Sequence, residues 1–261
     1  MIDWRHWHNE PLLIGGLVFV GWLWAIMAGP LRARFAPGVP YPRREAWFFY
    51  SALVLFYLAV GSPLDQIGER FLFSAHMGQH LVIMYPVPVL VLCGLPWWMI
   101  DAALDHPRAR RSLRLVLGPL GCGAISTLVI SLWHLPWLYE WALQDKVVHV
   151  VEHLMFFGVS VLFWWPILSP SRAFPPVSYA SRMLYIFCLE VAMTPLFAYV
   201  TFSDNTLYAT YEYAPRLFAN FMPGDDQTLA GAMMKLTSMF VSILAFGLCF
   251  FRWAETNRDQ K

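Results

Sequence analysis

The segment 71–93, FLFSAHMGQHLVIMYPVPVLVLC, decides the fold. It contains no Asp, Glu, Lys or Arg, and it exceeds the roughly 20 apolar residues that a helix needs to cross a bilayer core. Within lipid a helix satisfies its own backbone donors and acceptors, so such a run reads as a membrane span. Six other stretches read the same way: 11–28, 46–61, 113–134, 147–167, 179–202 and 228–252. The expectation is an all-α, polytopic integral membrane bundle of seven transmembrane helices, one domain over residues 1–261. Composition agrees. The chain is 58% hydrophobic and 13% charged, against about 25% charged in soluble domains. Its 13 Trp and 11 Tyr suit the membrane–water interface.

Basic residues set the expected orientation. Arg32, Arg34, Arg43, Arg44, Arg108, Arg110, Arg111, Arg114, Arg172, Arg182, Arg252, Arg258 and Lys261 fall on one side of the seven-span scheme. Only Arg5, Arg70, Lys146 and Arg216 fall on the other, with Lys235 inside the last span. The positive-inside rule then places the N-terminus outside and the C-terminus in the cytoplasm. Residues 1–10 lack a basic n-region and a small-residue cleavage site, so the chain reads as mature. Cys93, Cys122, Cys188 and Cys249 each lie in an apolar run without a CxxC pair, and read as small hydrophobes rather than disulfide or thiolate sites.

Histidine placement carries the chemistry. His76 and His80 open the third span, His134 closes the fourth, and His149 and His153 open the fifth. The orientation, fixed without histidine, puts all five near the outer face. Residues four apart share a helix face, so two HxxxH pairs on neighbouring helices converge with His134 as a candidate metal centre. His106 reads as a bystander in a cytoplasmic loop, while the roles of His6 and His8 in the external tail stay open. Carboxylates at the same depth are Asp65, Glu140, Glu152, Asp225 and Asp226, and Met77 and Met84 add thioethers. Imidazole with soft sulfur favours copper, with zinc as the alternative. His149-Val-Val-Glu152-His153 also matches the H-x-x-E-H motif of inverted zinc proteases. That keeps a zinc-dependent intramembrane hydrolase open, with Glu152 as general base.

Glu190, at the middle of the sixth span, must face the bundle interior or be paired, with Lys235 as a possible partner. This pair opens a third reading, a copper or ion transporter. Pro86, Pro88, Pro119 and Pro195 also fall inside spans, where freed carbonyls need protein neighbours.

Several stretches resemble the seven-helix CtaG family of caa3-type cytochrome c oxidase assembly factors. They are Ser74–His80 with Pro88 and Gly94-Leu-Pro96, and Trp133-His-Leu-Pro136 through His149–His153 to Phe163-Trp-Trp-Pro166. Thr201-Phe-Ser-Asp204, Leu207-Tyr208 and Asp225–Gly231 are similar too. The resemblance covers about residues 45–253 and is silent on the first span. It implies a multi-pass protein of the bacterial plasma membrane that supports formation of a haem–copper oxidase by handling copper. The polar positions it carries over are His76, His80, His134, His149, His153, Asp204, Asp226 and Gln227. The expected metal ligands are therefore His76, His80, His134, His149, His153 and Asp226. The expected partners are the bilayer, oxidase subunits and a periplasmic copper donor, with no nucleic acid. The leading expectation is an assembly factor rather than an enzyme.

Overall fold

The computed structural model describes residues 4–5, 7–104 and 107–258, so His6, His106 and Lys261 lie outside the described residues. Every regular element among them is helical: α1 (Pro11–Ala28), α2 (Arg32–Phe35), α3 (Arg43–Gly61), α4 (Pro63–Arg70), α5 (Phe73–Met84), α6 (Pro86–Gly94) and α7 (Trp97–Leu104), then α8 (Arg110–Val116), α9 (Pro119–Trp133), α10 (Pro136–Gln144), α11 (Lys146–Leu168), α12 (Tyr179–Phe202), α13 (Ala209–Glu212) and α14 (Pro223–Arg258). Five helical segments are long and apolar enough to cross a membrane: α1, α5 with α6, α11, α12 and α14. The pairs α3–α4 and α8–α9, bent by 43° and 59°, pass the same test together, giving up to seven spans. The chain is an all-helical, multi-pass membrane protein.

Prolines account for the breaks. The expected third span divides at Tyr85, because Pro86 and Pro88 have no N–H to continue the helical ladder. Pro88 would otherwise donate to the carbonyl of Met84, and that orphaned oxygen instead accepts the indole N–H of Trp164 at 3.2 Å. Pro119 starts α9 at its first position, where a missing N–H costs nothing, so the expected 113–134 span bends there. Pro166 and Pro195 are carried inside α11 and α12 without ending them. The last helix runs beyond the expected 228–252 at both ends.

Helix α5 sits at the centre, against α3, α4, α11 and α14. A core of Phe73, Met77, Phe156, Tyr139, Tyr208 and Tyr211 surrounds its first half. Small residues allow tight crossings: a Cβ on Gly94 would lie 2.5 Å from the Phe49 amide nitrogen, and one on Gly231 would strike Thr201. The four cysteines are free.

A candidate metal centre at the head of two helices

Three capping side chains fix where the site's helices begin. Ser62 precedes Pro63 and caps α4, its hydroxyl accepting from the Leu64 amide at 3.3 Å. Asp145 caps α11, its carboxylate accepting from the Val147 and Val148 amides at 2.8 and 3.1 Å. Helix α5 is capped from a distance. Asp226 of α14 accepts from the Phe73 and Ser74 amides at 2.6 and 3.0 Å, placing a carboxylate at a helix N-terminus.

The first turns of α5 and α11 then face each other. His76 and His80 project from α5, and His149, Glu152 and His153 share one face of α11. One ligand atom each from His76, His80, Glu152 and His153 lies within 4.8 Å of the others, and all four residues are buried. Glu152 is 0% exposed, and among the described residues neither of its carboxylate oxygens has a hydrogen-bond partner. His153 Nε2 and His149 Nε2 are equally partnerless. A buried carboxylate without a donor is costly, and a cation held among these groups would satisfy it. The donor set fits copper or zinc.

Hydrogen-bond roles follow by exclusion. The Gly68 carbonyl can only accept, and it takes the Tyr211 hydroxyl at 2.8 Å. His76 Nδ1, 3.1 Å from that hydroxyl oxygen, is therefore its donor. His76 Nε2 is left with a lone pair, so His80 Nε2, 2.9 Å away, carries the hydrogen between them. His80 Nδ1 is then a bare, buried lone pair with no partner. Gly68 is what brings these groups together: a Cβ there would lie 2.9 Å from the His76 Cα.

A second, more acidic group adjoins the first. Asp65, Glu69 and His149 also bring ligand atoms within 4.8 Å. Glu69 lies 2.7 Å from His149 Nδ1, and His149 Nε2 lies 4.0 Å from Glu152. His8 reaches Asp65 at 3.5 Å, and Gln79 donates to Asp65 at 2.5 Å. Polar side chains thus run from the partly exposed His8 to the buried cluster.

Of the residues read from sequence, His76, His80, His149 and His153 come together. His134 lies beside them, edge-on to Phe156 at 6.0 Å, outside both groupings. Its Nδ1 donates to the Ile130 carbonyl at 2.7 Å, leaving Nε2 a partnerless lone pair. Asp226 is occupied in capping α5. Gln227 pins the 203–208 loop, accepting from Leu207 and donating to Asn205. Asp204 is exposed. Glu140 receives the amide and hydroxyl of Thr210. Sequence reasoning missed Glu69 and Tyr211; the only local signal for Glu69 was its i+4 spacing from Asp65.

A family model described as cytochrome c oxidase caa3 assembly factor matches residues 22–256. No curated protein matches the chain, and no solved structure does.

Proposed function

The chain belongs to the cytochrome c oxidase caa3 assembly factor family, and from that premise we propose that it holds copper at the His76–His80–Glu152–His153 cluster and passes it to a haem–copper oxidase. The observation that carries the reading is Glu152: a fully buried carboxylate, both oxygens without donors, set among three imidazoles. His149 stands between this cluster and the outer Asp65–Glu69 pair, and its Nε2 faces Glu152. In this reading the acidic pair receives a cation supplied from outside by a periplasmic donor, and His149 leads it inward. Each bent helix pair counts as one span, giving seven, with the N-terminus outside and the C-terminus in the cytoplasm of a bacterial plasma membrane. The client subunit docks in the bilayer beside the bundle.

Copper analysis of the purified chain tests the reading directly. Wild type is expected to retain copper that a His76→Ala/His149→Ala double variant loses; equal copper in both would sink it. Reporter fusions at the two termini test the orientation independently.

A zinc hydrolase using Glu152 as base has less behind it. Glu152 sits within the donor set itself, and the cavity adjoining the cluster measures about 10 Å³, room for a water-sized particle but not for a peptide. A transporter reading through Glu190 and Lys235 meets a different obstacle, since these two neutralise each other at 3.0 Å.

A further inference from the structure

The small cavity beside the cluster is lined by His80, His134, Met77, Met84 and Met234 among others. Two of these residues carry lone pairs with no partner among the described residues. His80 has its hydrogen on Nε2, toward His76, which leaves Nδ1 bare; His134 has its hydrogen on Nδ1, toward Ile130, which leaves Nε2 bare. His80 and His134 are 2% and 3% exposed, so water from the surface does not satisfy either nitrogen. Around them stand three methionines, from α5 and α14, whose thioethers are weak acceptors that bind soft cations.

We propose that this cavity is a second metal site, built for a soft monovalent cation of the Cu(I) class. Its donors are the two free imidazole nitrogens of His80 and His134 with a thioether drawn from Met77, Met84 or Met234, all of which line the cavity. The contrast with the neighbouring cluster is chemical. That cluster offers a carboxylate and imidazoles, which accept divalent ions, whereas the cavity holds no charged group and offers sulfur. A volume of about 10 Å³ accommodates one water-sized body and no more, which fits a bare ion of low coordination number. His80 belongs to both sites. A neutral imidazole has one lone pair, so His80 serves one site at a time, and occupation of the cavity weakens the cluster. The cavity takes its cargo from the copper reading above but stands on its own donors, His80 excepted.

The test uses the full chain, purified in detergent with its methionines replaced by selenomethionine and loaded with one equivalent of Cu(I) under reducing conditions. Selenium distinguishes methionine from the four cysteines, so X-ray absorption at the copper edge reads the cavity directly. The expected result is a selenium neighbour at bonding distance, together with two nitrogens. A copper environment with no selenium overturns the proposal, and it does so without any mutation. A Met77→Leu/Met84→Leu/Met234→Leu variant nearly conserves volume, so the fold should hold. It should bind Cu(I) at least about tenfold more weakly, the scale on which altered metal surroundings act, with Zn(II) binding unchanged. Undiminished Cu(I) affinity in that variant also overturns the site. The two readings fail separately. Zn(II) binding lost in Glu152→Gln/His153→Ala with the selenium neighbour retained supports both sites. No divalent binding in wild type with selenium still present removes the cluster and leaves the cavity.

Discussion

Glu69 holds His149 by its Nδ1 at 2.7 Å, and in doing so aims the other ring nitrogen at Glu152. The two residues come from different helices, α4 and α11, so the contact also ties the Asp65–Glu69 pair to the buried cluster. A carboxylate on the far nitrogen of a ligating histidine sets its tautomer and raises its basicity. Here it forces the Nε2 lone pair inward, where no protein donor meets it.

Glu69→Gln should therefore weaken metal binding by about 10- to 100-fold, the usual cost of losing such a partner. Glutamine keeps the size but gives up the charge. Glu69 is 26% exposed at its side chain, so thermal stability should change little. Isothermal titration with Zn(II) and Cu(II) beside a melting curve checks both halves; unaltered affinity would remove Glu69 as a positioning residue.

Gly68→Ala should damage the same centre by a steric route. The added Cβ meets the His76 Cα at 2.9 Å and its amide nitrogen at 3.0 Å, both backbone atoms that cannot swing aside. Helix α4 must then move off α5, which separates the Gly68 carbonyl from Tyr211 and Glu69 from His149. Overpacking of this kind costs about 1–3 kcal/mol. The variant should melt earlier and bind less metal than wild type, whereas Gly158→Ala, where the Cβ meets nothing within 4 Å, should do neither.

Asp226→Ala should lower stability without lowering metal content. Its two oxygens cap the first amides of α5, Asp226 is buried, and loss of a well-placed charge at a helix N-terminus costs up to about 2 kcal/mol. Asp226→Asn should fall between, keeping an acceptor and losing the charge. Metal analysis with proteolysis of the detergent-solubilised chain separates the roles: metal lost at full stability would make Asp226 a ligand.

How much of this was legible in the sequence depended on spacing. The His76/His80 and His149/His153 pairs announced themselves because i and i+4 share a helix face whatever surrounds them. Glu152 was visible twice, inside H-x-x-E-H as a base and among the carboxylates level with the histidines. Glu69 was hidden, since only the bend after Ser62-Pro63 folds α4 back against α5. Asp226 is taken up by the α5 amides and His134 gives only its Nδ1 to the Ile130 carbonyl, contacts that no local spacing announces. Pro86 and Pro88 marked the break in the central span, but nothing local indicated that Trp164, 80 residues away, would take the Met84 carbonyl. Polar groups that recur at helical spacing or stand alone inside a span were readable, including Glu190 with Lys235, whereas partners that depend on a bend or on a loop, such as Glu69 and Tyr211, were not.

The Glu190–Lys235 pair was also anticipated from sequence, and its energetics give the last prediction. Glu190 lies roughly 17 Å along α12 from Tyr179 at 1.5 Å per residue, about midway through the helix. Its carboxylate accepts from Lys235 at 3.0 Å, from Ser242 at 2.7 Å and from Ser238. Lys235 also donates to Thr194 at 3.2 Å and lies 5.8 Å from the centre of the Phe197 ring. Its side chain is 33% exposed. Removing one partner leaves the other charge uncompensated near the bilayer centre, worth about 2.5–3.5 kcal/mol on insertion scales. Lys235→Met and Glu190→Gln should each destabilise the bundle on that scale. The double variant should recover much of the loss, because it leaves no lone charge and the serines can still bond the amide. A double-mutant cycle in unfolding free energy measures the coupling; strictly additive losses would mean that the pair does not stabilise α12 against α14.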